Sequence, residues 1–172
     1  IDLPDKNQDN LFTWSTPSGK IEISSSTLKA GKFDPVPVWQ EPPQPKAGAF
    51  YLLTGKVAQH TQMGTQNNQL LHKYEDLPRL WMSPDAAVKL GLKDWDLVDV
   101  TSEAGMVRVA LMVTPAIRPD CVYLTPGFGH LSKGLRIAYG VGASDSVLHV
   151  TYVDPISGSQ ALSQTFVTVK KV

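Results

Sequence analysis

The segment "LVDVTSEAGMVRVALMV", residues 97–113, constrains the fold more than any other part of the chain. Val98 and Val100 alternate with Asp99 and Thr101, and after "EAG" the alternation resumes at Val107, Val109, Leu111 and Val113. A period of two sends successive side chains to opposite faces of an extended strand. The segment therefore reads as a hairpin with one apolar face. Other stretches have strand length. "GKIEIS" (Gly19–Ser24) sets Ile21 and Ile23 on one face, "AFYLLTG" starts at Ala49, and "CVYLTP" starts at Cys121. The closing "QTFVTVKKV" places Val167 and Val169 opposite Phe166 and Thr168. "SPDAAVKLGL" reads instead as a two-turn helix, with Ser83 as N-cap, Pro84 at the first helical position and Gly91 just past the end. Strands outnumber helices, and no internal repeat or low-complexity tract is present. The pattern is that of a mainly β chain, a β-barrel or strongly coiled sheet with a few short helices.

Asp34–Gly48, "DPVPVWQEPPQPKAG", holds five prolines, which exclude a helix and favour an extended spacer. It separates an N-terminal extension, residues 1–48, from a domain expected over 49–172. A chain of 172 residues suits one domain with a small extension. The charges cancel, 16 basic against 16 acidic, which argues against a nucleic-acid module. No apolar run approaches ~18 residues, so direct membrane insertion is not expected. Cys121 is the single cysteine and reads as a small core residue. The chain starts at Ile1 and is expected to be a piece of a longer protein.

Polar chemistry concentrates in "TGKVAQHTQMGTQNNQLL", Thr54–Leu71. Its glutamines and asparagines carry paired donors and acceptors, Thr54, Thr61 and Thr65 add hydroxyls, Gly55 permits close backbone approach, and Lys56 can meet a phosphate. That inventory suits a large nitrogen-rich ligand with phosphates. The alternative is a solvated loop running into a helix near Asn67, with Leu70, Leu71 and Tyr74 packed inward. "TPGFGHLSKG" (Thr125–Gly134) and "GVGASDS" (Gly140–Ser146) are weaker candidates, glycine-rich turns whose amides can cradle an anion. His60, His72, His130 and His149 lack metal-ligand spacing, so no protein-held metal is expected. Ser132 beside His130 is not a nucleophile elbow. Asp94, Asp96 and Asp99 read as a turn or solvated face. No catalytic set emerges.

In order along the chain, "TPSGKIEISSSTL", the proline-rich spacer, "LLTGKVAQHTQMGTQNN" and "WMSPDAAVKLGLKDWDLVDVTSEAGMVRVALMVTPAIRPDCVYLTPGFGH" resemble the carboxy-terminal part of molybdopterin oxidoreductase catalytic subunits of the dimethyl sulfoxide reductase family. The "TGK…HT…TQNN" detail is most similar to the thiosulfate and polysulfide reductase branch. The resemblance implies a six-stranded double-psi-type β-barrel that helps hold a molybdenum bis(molybdopterin guanine dinucleotide) cofactor. It places Thr54, Gly55 and Lys56 on a Thr-Gly-Arg position beside the cofactor, His60 and Thr61 on a His-Thr pair, and Thr65 and Asn67 on later polar contacts. Gly127, Gly129 and His130 fall on a second cofactor-facing turn, and Asp145 on a further contact. The departures are Lys56 for arginine, Trp95 for the glycine of a "DGD" turn, and Ser144 and Ser146 for asparagines. Metal ligands come from the pterin dithiolenes and, in many members, from an earlier domain. An iron–sulfur cluster is expected elsewhere in the subunit, with an iron–sulfur electron-transfer subunit and a membrane anchor as partners and a periplasmic location. The isolated chain is not expected to be catalytic. Rival expectations are the same domain of a formate, nitrate, arsenate or tetrathionate oxidoreductase, and a double-psi barrel serving as a protein-recognition module.

Overall fold

The structure, a computed structural model, describes residues 14–73, 78–160 and 164–172. Tyr74 lies outside them. The chain divides into two compact units, Ile1–Pro42 and Pro43–Val172, so the division falls inside the proline-rich stretch.

In the first unit the expected strand at Gly19–Ser24 does not form. Ile21 and Ile23 are 67% and 79% exposed. Backbone amides of a strand need a partner strand, and the local polar groups close a turn here instead. Thr16 Oγ1 donates to the Lys20 carbonyl at 2.6 Å, and the Ser18 amide donates to Glu22 Oε1 at 3.1 Å. A short helix that the pattern did not suggest, α1 (Ser26–Ala30), follows, because Ser25 caps it by accepting from the Leu28 amide at 3.2 Å.

The second unit is a closed barrel of six strands: β1 (Phe50–Thr54), β2 (Leu80–Met82), β3 (Leu97–Thr101), β4 (Met106–Val113), β5 (Cys121–Leu124) and β6 (Phe166–Lys171). Around the barrel they run β1-β5-β2-β4-β3-β6. β1 lies parallel to β5 and antiparallel to β6, whereas β2 lies parallel to β4 and antiparallel to β5. β3 is antiparallel to both β4 and β6. Exchanging β1 with β4, β2 with β5 and β3 with β6 maps this scheme onto itself. Two three-strand halves thus interlock, each sending its first strand parallel to the other's middle strand, and this is the expected double-psi barrel.

The alternating residues fill it. Leu52, Val98, Val100, Val109, Leu111, Leu124, Val167 and Val169 are all buried in one core cluster. The expected hairpin forms, with Val98 opposite Val109 and Val100 opposite Val107. Its turn is tied by Ser102 Oγ, which accepts the Ala104 and Gly105 amides. α2 (Pro84–Leu90) forms as read: Ser83 Oγ accepts from the Ala86 amide at 3.2 Å, Gly91 closes the helix at φ +66°, and Ala86 and Ala87 join the core. β2, with only three residues, is too short for its alternation to show in sequence.

The turn entering β3 survives the Trp95 departure. Trp95 takes φ +67°, a left-handed conformation normally left to glycine. Asp94 Oδ1 accepts the Val113 amide at 2.8 Å, and the Asp96 carboxylate accepts the Lys93 amide at 2.8 Å. The Arg79 guanidinium lies over the Trp95 indole, 3.9 Å from its centroid, and pairs with Asp94 at 3.3 Å. Of the clustered aspartates, Asp94 and Asp96 therefore build a turn, whereas Asp99 lies on β3. Cys121 is buried, and burial pushes its thiol pKa up.

Candidate functional site

Parallel pairing decides where polar side chains meet. Thr54 ends β1 directly beside Leu124, which ends β5, so the loops that follow these strands leave the same end of the barrel together. Tyr123 of β5 joins them further, its hydroxyl donating to the Gly55 carbonyl at 2.8 Å.

The first loop is braced from within. Thr65 Oγ1 accepts the Thr61 amide at 2.9 Å and meets His60 Nδ1 at 3.1 Å. Gln66, only 1% exposed, accepts the Thr65 amide at 3.1 Å and donates Nε2–H to the Gln62 carbonyl at 2.6 Å. His72 Nε2 bonds the Gln66 carbonyl. Asn67 Oδ1 accepts the amides of Ile137 and Ala138 at 2.9 and 3.3 Å, tying this loop to the second one. Among the described residues from Asn67 to Lys73 the chain forms a 3-10 turn, Leu71–Lys73, and Leu70 is exposed.

The second loop packs beneath the first. Phe128 is buried and takes the His60 ring edge-on at 5.6 Å. Gly127, at φ +87°, leaves room that a Cβ would fill, 2.8 Å from both Gln66 Nε2 and Met63 Cγ. At Gly129, φ +76°, a Cβ would strike the Ser144 backbone nitrogen. The His130 carbonyl accepts the Gly140 amide at 2.9 Å.

Between the loops opens a cleft of about 470 Å³, a size common for small-molecule sites. The end of β1 and its continuation, Thr54, Gly55 and Lys56, line it. Gln62, Met63 and Pro126 also line it, together with Asp145, Ser146, His149, Thr151 and Gln160. The cleft thus gathers Thr54, Gly55, Lys56 and Asp145 from the residues singled out in the sequence. His60, Thr61, Thr65, Asn67, Gly127, Gly129 and His130 do not line it; Thr61 and His130 contribute backbone bonds to the loops, and the side chains or missing Cβ atoms of the others brace or closely pack them. Met63, Pro126, His149, Thr151 and Gln160 were not recognised. No local pattern marks them, except that His149 follows Asp145 at a spacing of four.

That spacing matters. His149 and Asp145 side chains are 8% and 10% exposed, and His149 Nε2 lies 3.3 Å from Asp145 Oδ2. His149 Nδ1 lies 2.9 Å from Thr165 Oγ1. The cleft lining therefore includes a cation, Lys56, and a carboxylate, Asp145, backed by imidazole. Among the described residues, no three His, Cys, Asp or Glu side chains converge as a metal site would require, and no helix is long and apolar enough to cross a membrane.

A double-psi barrel with a cleft between paired loops, lined by hydroxyl, amide and charged side chains among apolar surface, has the form of a ligand-holding scaffold. Residues 50–166 match the family described as "Molydopterin dinucleotide binding domain". The chain belongs to this family of molybdopterin dinucleotide-binding domains. The thiosulfate reductase molybdopterin-containing subunit PhsA of Salmonella typhimurium is 31% identical, over 90% of this chain and 21% of that protein. The dimethyl sulfoxide reductase DmsA of Escherichia coli is 27% identical, over 92% of this chain and 21% of its own length. The structure of acetylene hydratase from Pelobacter acetylenicus superposes with a TM-score of 0.82 at 21% identity, covering 99% of this chain and 26% of that one. At that identity it shows the fold alone. The chain thus spans about a fifth of the curated relatives it matches.

The cleft fits a molybdopterin dinucleotide in kind. Lys56 can meet phosphate as a point charge, while the carboxylate, hydroxyls and amides around it suit nitrogen-rich rings.

Proposed function

We propose that residues 49–172, following the extension 1–48, form the cofactor-binding domain of a molybdenum bis(molybdopterin guanine dinucleotide) oxidoreductase that reduces thiosulfate or polysulfide in anaerobic respiration. The observation that carries this reading is the cleft that gathers Thr54, Gly55, Lys56 and Asp145 inside the family-matched segment. The thiosulfate assignment draws on the 31% identity to PhsA.

In this reading Lys56 and the Gly55 backbone hold phosphate. His60, Thr61, Thr65 and Asn67 keep the first loop in shape, and Gly127, Gly129 and His130 do the same for the second. The bound cofactor supplies the redox chemistry, and this chain binds, orients and electrostatically tunes it. The iron–sulfur cluster, the electron-transfer and membrane-anchor subunits and the periplasmic location belong to the same proposal. A dimethyl sulfoxide reductase is the second reading, favoured by 27% identity to DmsA over a comparable share of the chain.

An amide NMR titration with guanosine diphosphate, with adenosine diphosphate as control, tests the cofactor reading. Guanosine-selective shifts are expected at Thr54–Lys56 and Asp145–Ser146, and Lys56→Gln should weaken both nucleotides by about 3- to 10-fold. Equal responses to both nucleotides would sink the guanine form. A silent cleft, in this chain and in the complete subunit, would sink the whole reading.

A further inference from the structure

His149, the imidazole bonded to Asp145, lines the same cleft. The Thr165 carbonyl accepts the Leu52 amide at 2.9 Å, which fixes Thr165 against β1 just ahead of β6. Its hydroxyl holds His149 Nδ1 at 2.9 Å, and His149 Nε2 reaches Asp145 Oδ2 at 3.3 Å. An ionised carboxylate only accepts, so Nε2 carries the proton and, in the neutral ring, Nδ1 accepts the threonine O–H. The imidazole is therefore anchored to the barrel at one nitrogen and clamps the carboxylate with the other.

We infer that His149 is a positioning residue. It holds Asp145 as the acceptor for the N–H/NH₂ edge of a 2-amino-4-oxopyrimidine ring, while Lys56, which lines the same cleft, takes the phosphates. This rests on the cofactor reading above and specifies its recognition chemistry. A carboxylate offers about four lone-pair sites on two oxygens, so after the His149 bond it still accepts from two parallel N–H donors. Guanine presents such an edge, and so does a pterin; adenine does not. Lys56, Asp145 and His149 are the titratable side chains among those lining the cleft, so no competing cation stands beside Asp145 there. Side chains 8% and 10% exposed give this bond a less solvent-screened setting than a surface pair.

The test combines a spectroscopic readout without ligand and a binding series. In the ligand-free chain, ¹⁵N imidazole spectra should show His149 protonated at Nε2; protonation at Nδ1 alone would overturn the assignment. Binding is then measured for guanosine, inosine and adenosine diphosphates and for unsubstituted pterin, each against wild type, Asp145→Asn, His149→Phe, His149→Gln and Lys56→Gln. Asp145→Asn and His149→Phe should each weaken guanosine diphosphate or pterin about 10- to 100-fold and leave adenosine diphosphate unchanged. His149→Gln, whose amide can still donate to Asp145, should recover most of the loss. Inosine diphosphate, lacking the 2-amino group, should fall between guanosine and adenosine. Whichever of guanosine diphosphate and pterin shows the Asp145-dependent response identifies the source of the edge. If His149→Phe fails to fold, Thr165→Val removes the anchor more gently and should produce a smaller loss in the same direction. Wild-type affinity in the Asp145 and His149 variants, alongside a loss in Lys56→Gln, overturns this inference and leaves the cofactor reading standing. No binding of any probe by the wild type overturns both.

Discussion

Trp95 shows how one side chain can hold a backbone conformation that local sterics disfavour. A non-glycine residue at φ +67° costs about 1–2 kcal/mol, and the indole under the Arg79 guanidinium returns an amount of similar order, about 0.5–2 kcal/mol. Trp95→Ala keeps the Cβ strain and loses the stacking, whereas Trp95→Gly loses both. Glycine should therefore be the more stable of the two replacements by about 1 kcal/mol in urea unfolding, the reverse of the usual order; alanine at or above glycine would show that the turn is unstrained. The sequence exposed the departure from glycine at Trp95, but not its partner, because Arg79 is brought to the ring by the β2–β4 pairing rather than by chain proximity. Asp145 illustrates the same limit. Its candidacy came from a resemblance, whereas the imidazole behind it came from the structure.

Elements carry the next set of consequences. On the β3–β4 hairpin Arg108 binds Asp99 through two bonds, Nε to Oδ1 at 2.7 Å and Nη2 to Oδ2 at 2.9 Å. This cross-strand pair is among the register's polar markers, Asp99 standing opposite Arg108. Hydrogen bonding to Arg108 holds the Asp99 carboxyl below its ordinary value of 3.8. Lys171, reaching over from β6, lowers Asp96 in the same sense. A depressed folded-state pKa means stability that is fully present above the unfolded value and lost as pH falls through the folded one. The barrel should therefore weaken below about pH 4, and Asp99→Asn should flatten the acid limb of a stability-versus-pH curve while leaving its shape near neutrality. An unchanged acid limb in that variant would remove Asp99 from the account. Both hairpin strands and α2 were legible because their signals, a period of two and a Ser-Pro…Gly frame, are local. The segment Gly19–Ser24 carried the same alternation but pairs with no strand among the described residues, which alternation cannot report.

At the scale of the whole molecule the barrel closes through strands far apart in sequence, with β1 against β5 and β2 against β4. Such non-local pairing makes the core one cooperative unit and its formation slow, on the order of milliseconds to seconds. Leu111 on β4 is fully buried, so Leu111→Ala should cost about 2–5 kcal/mol and shift the far-ultraviolet and tryptophan-fluorescence transitions together. Separate midpoints would mean that the two interlocked halves unfold independently. The sequence by itself determined the strand and helix segments whose signals are local, the buried faces of β3, β4 and β6, and the polar character of the loop after β1. Its family resemblance anticipated the barrel type. Tertiary structure alone decided which strands are neighbours, and with that the cleft. Thr54 and Leu124 end up side by side only because β1 and β5 run parallel, and Tyr123 reaches Gly55 across 68 residues of chain. Alternation records which face of a strand is buried, since each side chain reads its own burial. It carries no record of the partner, because backbone hydrogen bonds between strands are alike at every position and only closure of the complete barrel selects among them.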